Sequence, residues 1–233
     1  VVIGGGLLGL EAAAGLKQQG MDVTVLHLMP TLMERQLDPA AAYLLERAIT
    51  ARGIRVITKA NTHAIAGETK VEGVKLDDGT ILEADIVVMA VGIRPSTQLA
   101  KESGLDVGRG ILVDDAMRTS DPDIFALGEC VEHRNICYGL VAPLYEMANV
   151  IADRLCAGTA DYAGSVTSTK LKVTGIDLFS AGDFAEGEGR EEIVLRDAVG
   201  GIYKRLVIRE NRIIGAVLYG DTTDGPWFFD LLK

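Results

Sequence analysis

Hydrophobic positions in the first part of the chain follow two periods in turn. Val1-Val2-Ile3 is a short apolar run that enters Gly4-Gly5-Gly6, and residues 7–19 are alanine-rich with helical spacing. Gly20 ends that stretch, and residues 22–28 (DVTVLHL) read as the next strand. Residues 29–37 carry Pro30 and the charged pair Glu34-Arg35. Asp38-Pro39 then supplies an N-cap with proline at the first helical position. The helix it opens is expected to reach about Arg52, with Leu44, Leu45, Ala48 and Ile49 on one face. Gly53 stops it, and residues 54–57 (IRVI) form a third strand. Strand–helix–strand–helix–strand in this order predicts a right-handed parallel unit.

The pattern then turns antiparallel. Residues 71–76 and 81–82 flank Asp77-Asp78-Gly79, a hairpin signal. Residues 84–91 (ADIVVMAV) are nearly all apolar, which predicts a parallel strand buried on both faces. It ends in Gly92-Ile93-Arg94-Pro95, at the carboxyl end of the sheet where ligands bind in this architecture. Further on, residues 111–113 read as a short strand, 119–123 as a turn, and 124–127 as a second buried strand stopping at Gly128-Glu129. A helix is expected from about Pro143 to Leu155, with Leu144, Met147, Ile151 and Leu155 on one face. Beyond Tyr162 the text is antiparallel β: residues 170–173, 177–181, 192–196, 203–208 and 212–219, with Glu210-Asn211 as the tightest turn. Residues 223–227 open a last helix. There is no internal repeat and no low-complexity linker.

Composition narrows the class. A chain of 233 residues holds one or two domains, and 48% apolar residues with 27 glycines suit an α/β protein. No apolar run approaches the ~20 residues of a membrane span, so no membrane partner is expected. A net charge of -10 with no basic run argues against nucleic acid, and the 5% aromatic content leaves little for base stacking. Cys130, Cys137 and Cys156 form no C-x-x-C, which points to a reducing cytoplasm and away from a disulfide reductase whose dithiol lies in this stretch. Cys130-x-x-His133-x-x-x-Cys137 has no fourth ligand in sight, so no metal site is expected.

The chemistry sits in the opening. In Gly4-x-Gly6-x-x-Gly9 the first glycine allows the tight turn, the second lets the backbone approach a pyrophosphate, and the third lets the helix pack close to the strand. The helix N-terminus offers free N–H groups to the anion. Strand before and strand after give this loop the context a nucleotide site needs.

Residues 4–11 (GGGLLGLE), 92–95 (GIRP) and 119–129 (TSDPDIFALGE) resemble the pyridine-nucleotide:flavin oxidoreductases, in the branch of ferredoxin reductases and NADH oxidases. More narrowly, residues 27–30 with 32–38, 128–134 and 170–183 resemble the large subunits of NAD(P)H-dependent assimilatory nitrite reductases, and the resemblance covers essentially the whole chain. It implies an α/β fold: a Rossmann-type NAD(P)H-binding domain (1–92), the second segment of a split FAD-binding domain (93–162), and an antiparallel β interface domain (163–233) truncated at its C-terminus. The earlier flavin loop is missing, only three residues precede the glycines, and there is no initiator Met, so a piece of a longer chain is expected. The remaining domains of that chain would be its partners and would carry an iron–sulfur cluster and sirohaem.

By the same resemblance, Gly4, Gly6, Leu7, Leu8 and Gly9 would hold the pyrophosphate. Glu11 would lie near the nicotinamide carboxamide, unless it is a solvated carboxylate favoured by the helix dipole. Val91 and Gly92 would let the nicotinamide approach the strand end. His27 stands where an acidic residue often binds the ribose, which leaves NADH and NADPH both open. Arg35 matches an arginine near the adenosine ribose, or is a surface arginine paired with Glu34 or Asp38. Gly128 and Glu129 would face the flavin ribityl chain, and Pro143 and Leu144 would open a helix towards the flavin pyrimidine edge. The implied activity is hydride transfer from NAD(P)H to FAD and onward electron transfer in nitrite reduction to ammonia, which requires no general acid, base or nucleophile, so no side chain is assigned a catalytic role. Two alternatives stay open: a related flavin reductase feeding a ferredoxin, rubredoxin or nitrate reductase, and a redox-inert nucleotide-binding module. The stretch alone is not expected to hold FAD or to turn over. Apolar surface near Ile124 is expected to make it self-associate.

Overall fold

In the computed structural model, residues 1–171, 173 and 175–233 are described. The chain opens with β1 (Val2–Ile3), α1 (Leu7–Gln18), β2 (Val23–Leu26), α2 (Pro39–Ala51) and β3 (Ile54–Ile57). β2 pairs in parallel with both β1 and β3. The helix boundaries follow from local chemistry. Asp38 is extended and its Oδ1 accepts from the Ala41 N–H at 2.8 Å, Pro39 needs no donor in the first turn, and Gly53 leaves the helix at φ +77°. Alternation along the strands separates two cores. Val2, Val23 and Val25 join Leu10 and Ala13 of α1 and Leu45 and Ile49 of α2. Ile3 and Leu26, on the opposite face, pack with Val74 and Leu76.

Those last two residues belong to an antiparallel sheet of β4 (Thr62–Ala66), β5 (Gly73–Leu76) and β6 (Ile81–Glu83), in the order β4-β5-β6. The predicted hairpin is β5–β6. β4 gave no pattern to read, since His63, Ala64 and Ile65 are all exposed. β7 (Val88–Met89) completes the parallel sheet, whose order is β3-β2-β1-β7. Here the structure corrects the sequence. Only Val88–Met89 of residues 84–91 is strand, and Met89 and Val91 are 63% and 64% exposed. β7 is the sheet edge, with β1 its one neighbour among the described residues, and the faces of its carboxyl end are left open.

Two compact units divide the chain: Val1–Gly92 with Ser168–Lys233, and Ile93–Thr167. The second contains α3 (Gln98–Glu102), β8 (Ile111–Val113), β9 (Val131–His133) and α4 (Val141–Leu155), with β8 and β9 paired in parallel. The run 124–127 is not a strand. Phe125 makes an isolated bridge to Arg118, and Ile124 and Leu127 are 39% and 43% exposed. Its backbone closes the preceding turn instead, with Thr119 N–H donating to the Ile124 carbonyl and Ala126 N–H to that of Met117. The buried strand is β9, whose Glu132 and His133 hide it from an apolar pattern. α4 buries Pro143, Met147, Val150 and Ile151, while Leu155, expected on that face, is 70% exposed at the last helical residue.

The C-terminal stretch of the first unit is a five-stranded antiparallel sheet with a short helix. Its elements are β10 (Ser168–Lys170), β11 (Leu178–Gly182), β12 (Glu191–Asp197), β13 (Ile202–Arg209), β14 (Arg212–Tyr219) and α5 (Gly225–Leu231), and the strand order is β10-β11-β14-β13-β12. The strand expected at 170–173 falls partly on residue 172, outside the described residues. Glu210 and Asn211 both have positive φ, as a two-residue hairpin turn requires. Alternation again sorts the side chains. Leu178, Tyr203 and Val217 enter the core of α1 and α2, and Phe179, Ala181, Ala216 and Leu218 pack with Phe228 of α5. No helix among the described residues is long and apolar enough to cross a membrane.

Candidate functional site

The carboxyl edge of the parallel sheet gathers three chain segments. β1 leads into Gly4, β2 into His27, and β7 into Val91 and Gly92. Gly4 N–H donates to the Leu26 carbonyl at 2.8 Å and Ala90 N–H to that of Ile3 at 2.8 Å, which fixes the loop between the two neighbouring strands.

Of the three adjacent glycines, two have a reason within the protein to lack a side chain and the third has none. Gly4 has φ +114°, and a Cβ there would stand 2.2 Å from the Ala90 carbonyl oxygen. A Cβ on Gly5 would meet Leu32 at 2.5 Å and the His27 ring at 2.8 Å. Gly6 has φ -83° and ψ -174°, open to any residue, and nothing lies within 4 Å of its absent Cβ. Gly9 closes the set, because a Cβ there would sit 1.9 Å from the Gly4 carbonyl oxygen. Gly4, Gly5 and Gly9 are thus explained by protein contacts, and Gly6 is not. Gly6 is also the N-cap of α1, with no side-chain cap on the N–H groups that follow it. Leu7 is half-buried and Leu8 67% exposed at that helix start, and Glu11 is half-buried one turn on.

His27 does not present its ring to solvent. It is 8% exposed, and its Nδ1 accepts from the Gly5 N–H at 3.0 Å. A ring nitrogen that accepts carries no proton, so the neutral imidazole is protonated at Nε2 and donates to Glu34 Oε2 at 3.0 Å. On the other side of the same glycine, Met33 N–H donates to the Gly5 carbonyl at 3.0 Å, with Met33 held at φ +51°. Gly5 is therefore gripped at both its N–H and its carbonyl by the segment that follows β2. Arg35 is 87% exposed, its Nε 4.0 Å from Glu34 Oε1. Gly92 turns away from β7 at φ +96° with nothing within 4 Å of where a Cβ would be.

The remaining residues singled out from the sequence lie on the second unit. Gly128 has φ +107° and open space around it, and its carbonyl accepts from the Val131 N–H as the chain turns into β9. Glu129 is exposed. α4 begins at Val141, two residues before Pro143, and its first turn has no side-chain cap. Pro143 is buried and Leu144 half-buried. His133 is engaged elsewhere. It is 1% exposed, with Nε2 2.8 Å from Asp115 Oδ1, and Arg134 holds the same carboxylate through Nε and Nη2. The Asp115 carboxyl is accordingly pulled down to about 2, by the Arg134 guanidinium first and His133 second. Burial pushes the Cys137 thiol up. No cluster of three metal-ligating side chains exists among the described residues.

Comparison with known proteins gives the family. Residues 1–150, well over half the chain, match the pyridine nucleotide-disulphide oxidoreductase family. The chain belongs to that family. Residues 168–233 match the rubredoxin NAD+ reductase C-terminal domain. The NAD(P)H nitrite reductase of Bacillus subtilis (strain 168) is 54% identical over 233 residues, all of this chain and 29% of that protein. The assimilatory nitrate reductase electron transfer subunit of the same organism is 44% identical over 99% of this chain and 30% of that protein. The chain thus spans less than a third of the length of these relatives. Among solved structures, a ferredoxin reductase from Rhodopseudomonas palustris superposes with TM-score 0.85 at 28% identity, over 96% of this chain and 56% of that one.

In this member of the pyridine nucleotide-disulphide oxidoreductases the glycine loop is braced by His27 and Met33 from the segment that follows β2. Sequence reasoning singled out His27 for its position but missed its grip on Gly5, named Glu34 only as a partner for Arg35, and gave Met33 no part in the loop. A histidine followed by a glutamate seven residues later has no periodicity to flag it. The one available signal was Gly5 itself, a glycine that the G-x-G-x-x-G spacing does not require.

Proposed function

We propose that this chain is the electron-input part of an NAD(P)H-dependent nitrite reductase. It binds the nicotinamide nucleotide on the loop from Gly4 to Gly9, for hydride transfer to FAD and onward electron transfer to an iron–sulfur and sirohaem centre where nitrite becomes ammonia. The observation that supports nucleotide binding is Gly6. Nothing in the protein requires a glycine there, and a backbone that must admit a pyrophosphate does. The residues fit the group: Gly6 leaves the approach open, the uncapped N–H groups of α1 supply donors, and Gly4 and Gly9 hold the turn rigid against the sheet. For FAD the chain offers Gly128, Glu129 and the uncapped start of α4. When bound, nicotinamide and flavin supply the redox chemistry; the protein's part is binding, orientation and exclusion of water. The chain alone binds nucleotide without turning it over, and works in a reducing cytoplasm.

Calorimetric titration of the chain with NADH and with NADPH, with and without FAD, tests the reading. Binding of at least one nucleotide without flavin is the expected result. Absence of both from a chain shown to be folded overturns it. A second reading, an electron-transfer subunit serving nitrate reductase, is favoured by the 44% identity to such a subunit over nearly the whole chain. Reduction assays of the full-length protein with nitrite and with nitrate separate the two.

A further inference from the structure

We propose that Glu34 carries the carboxylate that reads the adenosine ribose at this site and thereby selects NADH over NADPH. The inference rests on the nucleotide reading above and adds the residue that sets its preference. In parallel sheets of this kind, an acidic side chain at the end of the second strand accepts a hydrogen bond from the ribose 2′-hydroxyl. That position is His27, whose buried ring has no acceptor left, because Nδ1 takes the Gly5 N–H and Nε2–H is given to Glu34. The structure restores a carboxylate at this strand end through the imidazole. Oε2 of Glu34 is fixed by His27 at 3.0 Å, and the preceding residue, Met33, is bonded to the Gly5 carbonyl at 3.0 Å.

The other carboxylate oxygen is only loosely engaged. Oε1 lies 4.0 Å from Arg35 Nε, beyond hydrogen-bond distance, and that arginine is 87% exposed. The Glu34 side chain keeps 28% of its surface open to solvent. One oxygen is thus anchored and oriented, and one is free to accept. A ribose hydroxyl donates to such an oxygen. A 2′-phosphate has little to donate and brings between one and two negative charges against a carboxylate that His27 holds in place. Arg35 could draw a phosphate only by swinging away from its neighbour, at a fully exposed position where charge is screened.

The test is calorimetric titration of the whole chain with NADH and NADPH, which differ only by the 2′-phosphate. The wild-type chain is expected to bind NADH at least about tenfold more tightly. Glu34→Gln, which keeps an acceptor for His27 but removes the charge, is expected to bring the two constants to within about threefold, weakening NADH and strengthening NADPH. Glu34→Asp keeps the charge and is expected to keep the preference for NADH, which guards against a Gln variant that merely folds poorly. Equal wild-type constants, or an unchanged ratio in Glu34→Gln, overturn the proposal and leave nucleotide binding intact. No binding of either nucleotide by folded wild-type protein overturns both readings together.

Discussion

Replacing Gly6 by alanine tests the proposal that this glycine is kept for a ligand while Gly4, Gly5 and Gly9 are kept for the fold. At φ -83° and ψ -174° alanine is unstrained, and its methyl would touch nothing within 4 Å. Two small terms act on stability. Alanine is a poorer N-cap than glycine by roughly 0.5–1 kcal/mol, and a less free unfolded chain returns about 0.4–1 kcal/mol. They offset, so the folded chain is expected within about 1 kcal/mol of wild type, a melting shift of no more than about 2–4 °C at this size. Gly9→Ala is the contrast. Its methyl would fall 1.9 Å from the Gly4 carbonyl oxygen, a backbone atom that cannot rotate aside, and such overpacking costs about 1–3 kcal/mol or more. For NADH the order reverses in meaning. On the proposed reading, a methyl on Gly6 would stand in the path of the pyrophosphate to the first N–H groups of α1. Losing one charge-assisted hydrogen bond, at about 1.5–3 kcal/mol, weakens binding about 10- to 150-fold. Thermal denaturation followed by circular dichroism reads the first quantity, and calorimetry with NADH the second. A Gly6→Ala chain that binds NADH as tightly as wild type, or that melts together with Gly9→Ala, would refute the argument.

Three further outcomes follow from the described contacts. Asp38→Ala removes the cap on Ala41, the acceptor of the Tyr203 hydroxyl at 2.5 Å and one partner of the buried Arg205. A loss of about 3–5 kcal/mol is expected in urea unfolding, with Asp38→Asn costing clearly less because it keeps the cap. The carboxyls of Asp115 and Asp221 are held at about 2 by hydrogen bonds from Arg134 and Lys204 respectively, below the ordinary 3.8. Their stabilisation is therefore complete above about pH 4 and lost as pH falls from there towards 2, and an unfolding midpoint that stays flat between pH 5 and 2 would contradict this. On the second unit, Ile124, Leu127, Val141 and Tyr145 are 39%, 43%, 63% and 69% exposed; sedimentation is expected to find self-association rising with concentration, and a strict monomer at high concentration would count against it.

What the sequence made legible were features whose cause is local. A proline after an aspartate reports a helix start at Asp38-Pro39 because the cap and the missing donor act within one turn. The glycine spacing reports the loop because Gly4 and Gly9 answer to the turn they both form. The clamp on Gly5 was not legible in that way. His27, Met33 and Glu34 act through bonds that exist only after residues 29–37 fold back on the loop, and Met33 reaches its partner from a left-handed conformation that methionine does not advertise. β9 escaped for a related reason. Its Glu132 and His133 are buried because Glu132 Oε2 accepts the Arg109 and Gly110 N–H groups and His133 meets Asp115, so the polar residues that conceal the strand are satisfied by other segments.

The two apolar runs that misled, 84–91 and 124–127, failed together for one physical reason. Periodicity reports what a side chain would gain from burial, about 25 cal/mol per Å², but not whether a neighbour is there to supply it. β1 and β2 have strands on both sides and their apolar residues are buried; β7 has one, and Met89 and Val91 remain open. Each run also ends at a glycine of positive φ with nothing within 4 Å of where a Cβ would be, Gly92 in one case and Gly128 in the other. These are two of the positions where the family resemblance put cofactor contacts. An apolar strand end next to an open left-handed glycine costs stability on its own, since it exposes hydrophobic surface and adds backbone freedom to the unfolded chain. The fold tolerates that cost at the carboxyl end of β7 and at the entry to β9, while it fills every neighbouring interior position of β1 and β2. That selectivity agrees with the cofactor contacts proposed for Gly92 and Gly128, each taken by itself.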